Sequence, residues 1–373
     1  MTPLGGFWLQ HASNQARDLV EFADELEGTP AGRPGLLYAP VNVAATLREL
    51  YEHGRERGDV ALDPCGFLLD RDPTRRAAAN FPWLVQRPRP TSQQEWQDWM
   101  AQALDHQSSP VLVGDSRVPS FLVTACPQLQ AAEGDRGLYP ILDAALAVQG
   151  SAEGECWLGV NIDRDYLRQE VHLVRLANAL IASRVPGVML RCFGTQLAPV
   201  TDRRVLDGLR EIVSSCSASG IRVFLPSSGW LGWLAMAWGA WGFSGGLAKS
   251  SWYDRMPSPM TNVTKYDSVF EPQLLRQVRW TVHENLVDQP EYEECWCSSC
   301  ASMDGRYDAK EAPRHQLRVA NEEAATLRAL PTAQRKITVR QRLDEAIAFR
   351  DSLPLVLQSR AQADFLDRWR SFV

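Results

Sequence analysis

The chain has 373 residues, 45% of them hydrophobic and 23% charged, with a formal net charge of −6. That balance excludes a mostly disordered, collagen-like or coiled-coil chain, and the length suits an α/β barrel of about 250 residues with a substantial appendage. The longest apolar stretch, Trp230 to Trp241, is glycine-broken and falls short of the roughly 20 residues that span a bilayer. Met1 to Gln10 shows no secretory signal pattern, so the expected setting is cytoplasmic and away from any membrane.

From the N-terminus to about Lys249, short β-like apolar runs alternate with amphipathic helical patterns, the signature of repeated βα units on a parallel sheet. The runs predict eight strands, near Phe7 to Leu9, Leu36 to Ala39, Val60 to Asp63, Val111 to Gly114, Cys156 to Asn161, Gly187 to Cys192, Ile221 to Pro226 and Ala240 to Ser244. Helical spacing is expected over Ala16 to Glu27, Val43 to Arg57, Gln93 to His106, Ile141 to Val148, Arg168 to Ser183, Asp202 to Ser217 and Trp230 to Trp238. Eight strands with helices between them predict a (β/α)8 barrel over residues 1–250. The proline-rich interval from Cys65 to Pro90 is expected over the barrel mouth.

After the eighth strand the pattern changes. Ser250 to Glu294 reads as irregular, and two helices are expected at Ala312 to Leu330 and Ile337 to Ser352, so residues 251–373 form a C-terminal helical subdomain. This tail is where the charge reverses: residues 301–373 hold 13 Lys/Arg against 10 Asp/Glu, and residues 1–300 hold 26 against 35. The excess fits a solvated helical surface, with a phosphate-binding face as the alternative.

Of the eight cysteines, Cys65, Cys126, Cys156, Cys192 and Cys216 are scattered through apolar patterns and read as buried thiols. Cys295, Cys297 and Cys300 crowd into six residues, the spacing of soft ligands around one tetrahedral ion, for which Zn²⁺ in a structural role is the expected occupant. His315 is the one histidine downstream of them and a candidate fourth ligand; Asp, Glu, His283 or water are the alternatives.

In a barrel of this kind, ligands sit at the C-terminal ends of the strands. Asp63 and Asp115 each follow an apolar run and should point into the mouth, where paired carboxylates suit base recognition or proton transfer. Gly245, Gly246 and Lys249 follow the eighth strand and would let backbone N–H groups approach an anion, or would merely relieve crowding at the rim. Asp163 lies just past the fifth strand, where an acid also starts a helix well. Arg191, at the end of an apolar strand, must meet a carboxylate, a phosphate or water. Of the 13 tryptophans, Trp230, Trp233, Trp238 and Trp241 cluster late in the barrel, where core packing outweighs stacking on a base.

Three separated features together resemble the tRNA-guanine transglycosylase superfamily, including its bacterial DNA-modifying relatives that insert 7-deazaguanine bases. The barrel followed by Cys295-Trp-Cys297-Ser-Ser-Cys300 is similar to that family's barrel and zinc subdomain. Asp63-Pro-Cys-Gly-Phe67 resembles its Asp-Ser-Gly-Gly-Phe loop, and Arg314-His-Gln-Leu-Arg-Val-Ala-Asn-Glu322 resembles the helix after its zinc loop. The resemblance implies that Asp63 and Phe67 help hold a guanine-type base and that Asp115 recognises it. Leu158-Gly-Val-Asn161 is similar to a strand that supplies a glutamine, here replaced by Asn161. It also implies a zinc histidine later in the helix, where this chain has none. The family's nucleophilic aspartate corresponds to Ser244, and Arg191 stands where the family has small glycines.

The expected function is therefore that of a transglycosylase-like protein acting on a guanine-type base of tRNA or DNA, by base exchange or N-glycosidic cleavage. Asp163 would serve as the nucleophile, or Ser244 would position a water. The alternative is a catalytically retired subunit that positions nucleic acid, partnered by a second copy or by an active relative. An unrelated barrel enzyme that holds a phosphorylated small molecule with Gly245, Gly246 and Lys249 is the third reading.

Overall fold

The structure, a computed structural model, describes residues 5–11, 16–38, 58–70, 89–109, 119–150, 152, 154–193, 199–247 and 267–373. Nine short strands form one parallel sheet: β1 (Gly6–His11), β2 (Gly35–Tyr38), β3 (Val60–Leu62), β4 (Leu122–Val123), β5 (Gln128–Leu129), β6 (Cys156–Asp163), β7 (Gly187–Phe193), β8 (Arg222–Leu225) and β9 (Gly242–Gly245). Their order is β3-β2-β1-β9-β8-β7-β6-β4, with β5 also paired to β6. A bridge from Ala61 to Phe121, with the Ser120 N–H donating to the Val60 carbonyl at 2.7 Å, joins β3 to the β4 edge. The result is the nearly closed eight-position α/β barrel that the alternating pattern predicts, β4 and β5 sharing one position.

The apolar run at Val111 to Gly114, expected as the fourth strand, lies outside the described residues, as does the expected helix at Val43 to Arg57; among the described residues the fourth barrel position is filled by β4 and β5. Helices α1 (Ala16–Glu27), α2 (Gln93–Gln107), α3 (Gly134–Gln149), α4 (Arg164–Leu167), α5 (Glu170–Ser183), α6 (Arg203–Ala218) and α7 (Gly229–Met236) connect the strands.

Alternation along the strands sends Trp8, Leu37, Ala61, Phe121, Val123, Trp157, Met189 and Phe224 to the barrel axis, where with Trp241 they form a buried cluster of their own. Phe121 stacks on Trp157 with centroids 4.2 Å apart, and Trp241 meets Trp157 edge-on at 5.0 Å. Such large rings fit only because a glycine lies beside each indole on the next strand. A Cβ at Gly35 would come within 2.4 Å of the Trp8 ring, and one at Gly187 within 2.3 Å of the Trp157 ring. This aromatic plug fills the N-terminal half of the barrel and leaves the C-terminal half for polar side chains.

Beyond the barrel, the stretch expected to be irregular contains, in its described part, an antiparallel hairpin of β10 (Ser268–Glu271) and β11 (Arg276–Arg279) followed by α8 (Trp280–Val287). These elements are too short for a helical or alternating pattern to register in the sequence. Then come α9 (Ser298–Met303), α10 (Glu311–Arg328), α11 (Thr332–Ser352), α12 (Leu355–Ala361) and α13 (Phe365–Arg370). Helix α10 packs on β1 and α7. Its Arg314 and Arg318 reach Glu25 of α1 at 3.2 and 2.8 Å, and its Asn321 donates to the Gly32 carbonyl at 2.9 Å. It therefore covers the barrel in the place of the helix that follows an eighth strand. Trp230, Trp233 and Trp238 are buried, and Trp230 stacks on Phe270 of β10 at 4.4 Å, so they pack the core as expected.

Candidate functional site

Two polar constellations stand out, one at the C-terminal ends of the barrel strands and one in the C-terminal region. At the barrel mouth, the positions next above the aromatic plug carry Gln10 of β1, Asp63 after β3, Asn161 of β6, Arg191 of β7, Ser227 after β8 and Ser244 of β9, all buried. Arg191 and Asp63, only 3% and 2% exposed, form a direct ion pair. The Asp63 carboxylate also accepts the Cys65 N–H at 2.9 Å, and the guanidinium lies 4.7 Å over the Phe67 ring. On the other side, Arg191 reaches Ser227 Oγ at 3.5 Å.

Ser244 Oγ donates to Gln10 Oε1 at 2.7 Å and accepts the Ser227 N–H at 2.9 Å. Gln10 Oε1 also accepts from the Ser227 N–H at 2.9 Å and hydroxyl at 2.8 Å. A serine becomes a nucleophile when a base takes its proton. Here the proton of Ser244 goes to a neutral amide oxygen, and no carboxylate or imidazole bonds to it among the described residues.

The remaining mouth residues are placed as follows. Asn161 Nδ2 donates to the Cys126 carbonyl at 2.5 Å, tying β6 to the chain just before β5. Asp163 accepts the Tyr166 N–H at 2.6 Å and caps α4, the role that its position after a strand also allowed. Gly245 and Gly246 are buried at the end of β9. Asp115 and Lys249 lie outside the described residues. Sequence reasoning missed Gln10, although it sits two residues from the inward Trp8 on the same strand and so must share its face.

The second constellation consists of Cys295, Cys297, Cys300 and His315, whose ligand atoms all lie within 4.8 Å of one another and could bind a metal ion. His315 Nδ1 is 3.9, 3.3 and 3.3 Å from the sulfurs of Cys295, Cys297 and Cys300. A tetrahedral ion bound at about 2.3 Å to sulfur and about 2.0 Å to nitrogen separates its ligand atoms by about 3.5 Å, so the set fits such an ion. His315 Nε2 lies 3.0 Å from the Phe270 carbonyl, which places the ring proton on Nε2 and aims the Nδ1 lone pair at the sulfurs.

Hydrogen bonds from Cys295 and Cys300 hold the Cys297 thiol far below its ordinary value, while those with Cys295 and Cys297 push the Cys300 thiol far above its own. Burial works to lower the His315 imidazole, but the sulfurs of Cys295 and Cys297 outweigh it and raise it to about 10. Without an ion, a Cys297 thiolate beside a charged imidazole is thus favoured, and a divalent cation would take the place of the Nδ1 proton. Of the candidates for a fourth ligand, His315, early in α10, is the one that lies beside the three sulfurs; the later position implied by the family resemblance holds no histidine in this chain.

No family model and no curated protein matches the chain. Among solved structures, it is similar to a type I 3-dehydroquinate dehydratase from Clostridium difficile crystallised with covalently modified comenic acid. The identity is 8% and the TM-score 0.35, with 68% of this chain and 88% of that one covered. What fold and site define is a parallel α/β barrel with a Cys3His cluster that could bind a metal ion.

Proposed function

We propose that this chain is a transglycosylase-like barrel that engages a guanine-type base or the tRNA or DNA carrying it, and that it acts as a positioning or partner subunit lacking a serine nucleophile. The observation that carries this reading is that the candidate nucleophiles of the mouth are already engaged by other protein groups. Asp63 is committed to Arg191 and the Cys65 N–H, Ser244 to Gln10 and Ser227, and Asp163 to its helix cap. A carboxylate paired with a buried guanidinium is not free to attack a sugar carbon.

The link to the transglycosylase family is supported by Cys65. It stands where the resembling loop has its first glycine, and it holds φ +48°, a left-handed conformation that a glycine adopts freely and a cysteine does not. The Cys3His cluster takes zinc in this reading, in a closed structural site without a position for substrate. Its setting is the cytoplasm, and its partner is a second copy or an active relative.

The test is exchange of labelled guanine into tRNA and into duplex DNA by wild type, Ser244→Asp and Asp63→Ala, with metal content measured on the same samples. The expected result is no exchange by wild type alone and one bound zinc per chain. Exchange by wild type that vanishes in Asp63→Ala would instead establish an enzyme whose nucleophile lies elsewhere.

A further inference from the structure

The end of the barrel opposite the polar mouth holds a cavity of about 350 Å³, lined by the backbone of Gly5, Gly220 and Gly239 and by Arg222, Arg328 and Arg335. These glycines lie at the starts of β1, β8 and β9, and the arginines come from β8, from the last turn of α10 and from the first turns of α11. The three guanidiniums are not equivalent. Arg222 is neutralised by Glu155 at 2.7 Å and lies over the Trp157 ring.

Arg328 and Arg335 have no carboxylate partner among the described residues. Arg328 donates to the Gly5 carbonyl at 3.2 Å. Arg335 donates to the carbonyls of Leu330, Ala240 and Arg328 at 2.8, 3.3 and 3.4 Å. Those bonds fix both side chains at the cavity without cancelling their charge. Each guanidinium has five N–H donors, so both keep unused ones. Burial also pulls the Arg335 guanidinium below its ordinary value, as expected of a cation short of counter-charge. Thr332, the first residue of α11, lies on the same cavity, and no side chain caps that helix. Its free N–H groups add positive potential where the arginines already supply it.

We propose that this cavity is a phosphate-binding site, with Arg328 and Arg335 as its anchors and room for a ligand the size of a mononucleotide. Small-ligand sites span about 300–1,000 Å³, and planar guanidiniums match the oxygen geometry of phosphate. The site draws two of its cations from the net-positive segment 301–373. It is independent of the base-exchange reading, since it lies at the other end of the barrel.

The test is calorimetric titration of the full chain with inorganic phosphate, guanosine 5′-monophosphate and a short single-stranded oligonucleotide, at an ionic strength held constant with chloride. At least one of these probes should bind wild type, and Arg328→Gln should weaken that binding about tenfold or more. Arg328→Lys should recover part of it. Binding of the mononucleotide without the oligonucleotide identifies a free nucleotide as the source of the phosphate; the reverse identifies a nucleic-acid backbone. Arg335→Gln should act like Arg328→Gln, but Arg335 also closes the end of α10, so Arg328→Gln decides if the former fails to fold. Absence of binding by all three probes, or unchanged affinity in Arg328→Gln, overturns the proposal.

Discussion

At the scale of single residues, the barrel mouth is governed by the cost of burying charge. Asp63 and Arg191 are almost wholly removed from water, so each is tolerable only because the other is present. Replacing Arg191 by methionine leaves a buried carboxylate unpaired and should cost about 3–5 kcal/mol in denaturant unfolding. The double variant Asp63→Asn with Arg191→Met should regain most of that loss. Arg191→Met unfolding at the wild-type midpoint would show that the pair does not hold the mouth together. The sequence made both residues visible, Asp63 after an apolar run and Arg191 at the end of one. It did not show that they meet, because 128 residues and three of the eight barrel positions separate them and no local spacing rule connects β3 to β7. Gln10 was hidden for a related reason: a neutral amide announces no chemistry until Ser227 and Ser244 converge on it.

At the scale of elements, the helix expected from Asp202 to Ser217 is found almost unchanged as α6, whereas the start of α3 lies seven residues before the expected one and the fourth barrel position is built from two short strands. Asp202 precedes α6, where its carboxylate accepts the N–H groups of Arg204 and Val205 at 3.0 and 3.4 Å. Asp202→Ala should cost about 1 kcal/mol through the lost cap. Hydrogen bonds from Arg168 hold the Asp202 carboxyl below its ordinary value. Its folded value being depressed, the stabilisation is complete above the unfolded value near about 3.9 and is lost as pH falls through the folded one. Both partners are about a third exposed, so the ionic share is small. The stability difference between wild type and Asp202→Asn should stay flat from about pH 7 to about pH 5 and shrink below about pH 4; a difference that persists unchanged at about pH 3 would remove Arg168 from the account. The fourth strand escaped detection because it is two residues of β4 and two of β5, split by the stretch from Thr124 to Pro127. A period of two cannot be counted over two residues, so neither piece registers as a strand in the sequence.

At the scale of the whole molecule, the cysteine cluster and the barrel share α10. That helix carries His315 toward the sulfurs while its buried Leu317, Ala320, Ala324 and Leu327 belong to the main core. A metal there would tie three segments together, the hairpin through the Phe270 carbonyl, the cysteine loop, and the helix that covers β1. Cysteine spacing in the sequence announced three candidate ligands, and the fold supplies a candidate fourth by bringing His315 back over the loop. Chelation should therefore loosen the cysteine loop and lower the unfolding temperature while the apolar face of α10 keeps the barrel closed. Thiol reactivity separates these effects. Cys65, Cys126, Cys156, Cys192 and Cys216 are all buried, and burial pushes the thiols of Cys156 and Cys216 up to about 12. Thiolate is the reactive form, so at about pH 8 these two should remain silent toward a disulfide reagent as long as the barrel is folded. The metal-loaded chain should expose almost no reactive thiol, and a chelator should release Cys295, Cys297 and Cys300 alone. If all eight cysteines react together on chelation, the metal supports the whole core and α10 does not hold the barrel by its own packing. If none is released, the cluster holds no exchangeable metal, and its four side chains are kept together by hydrogen bonds and packing alone.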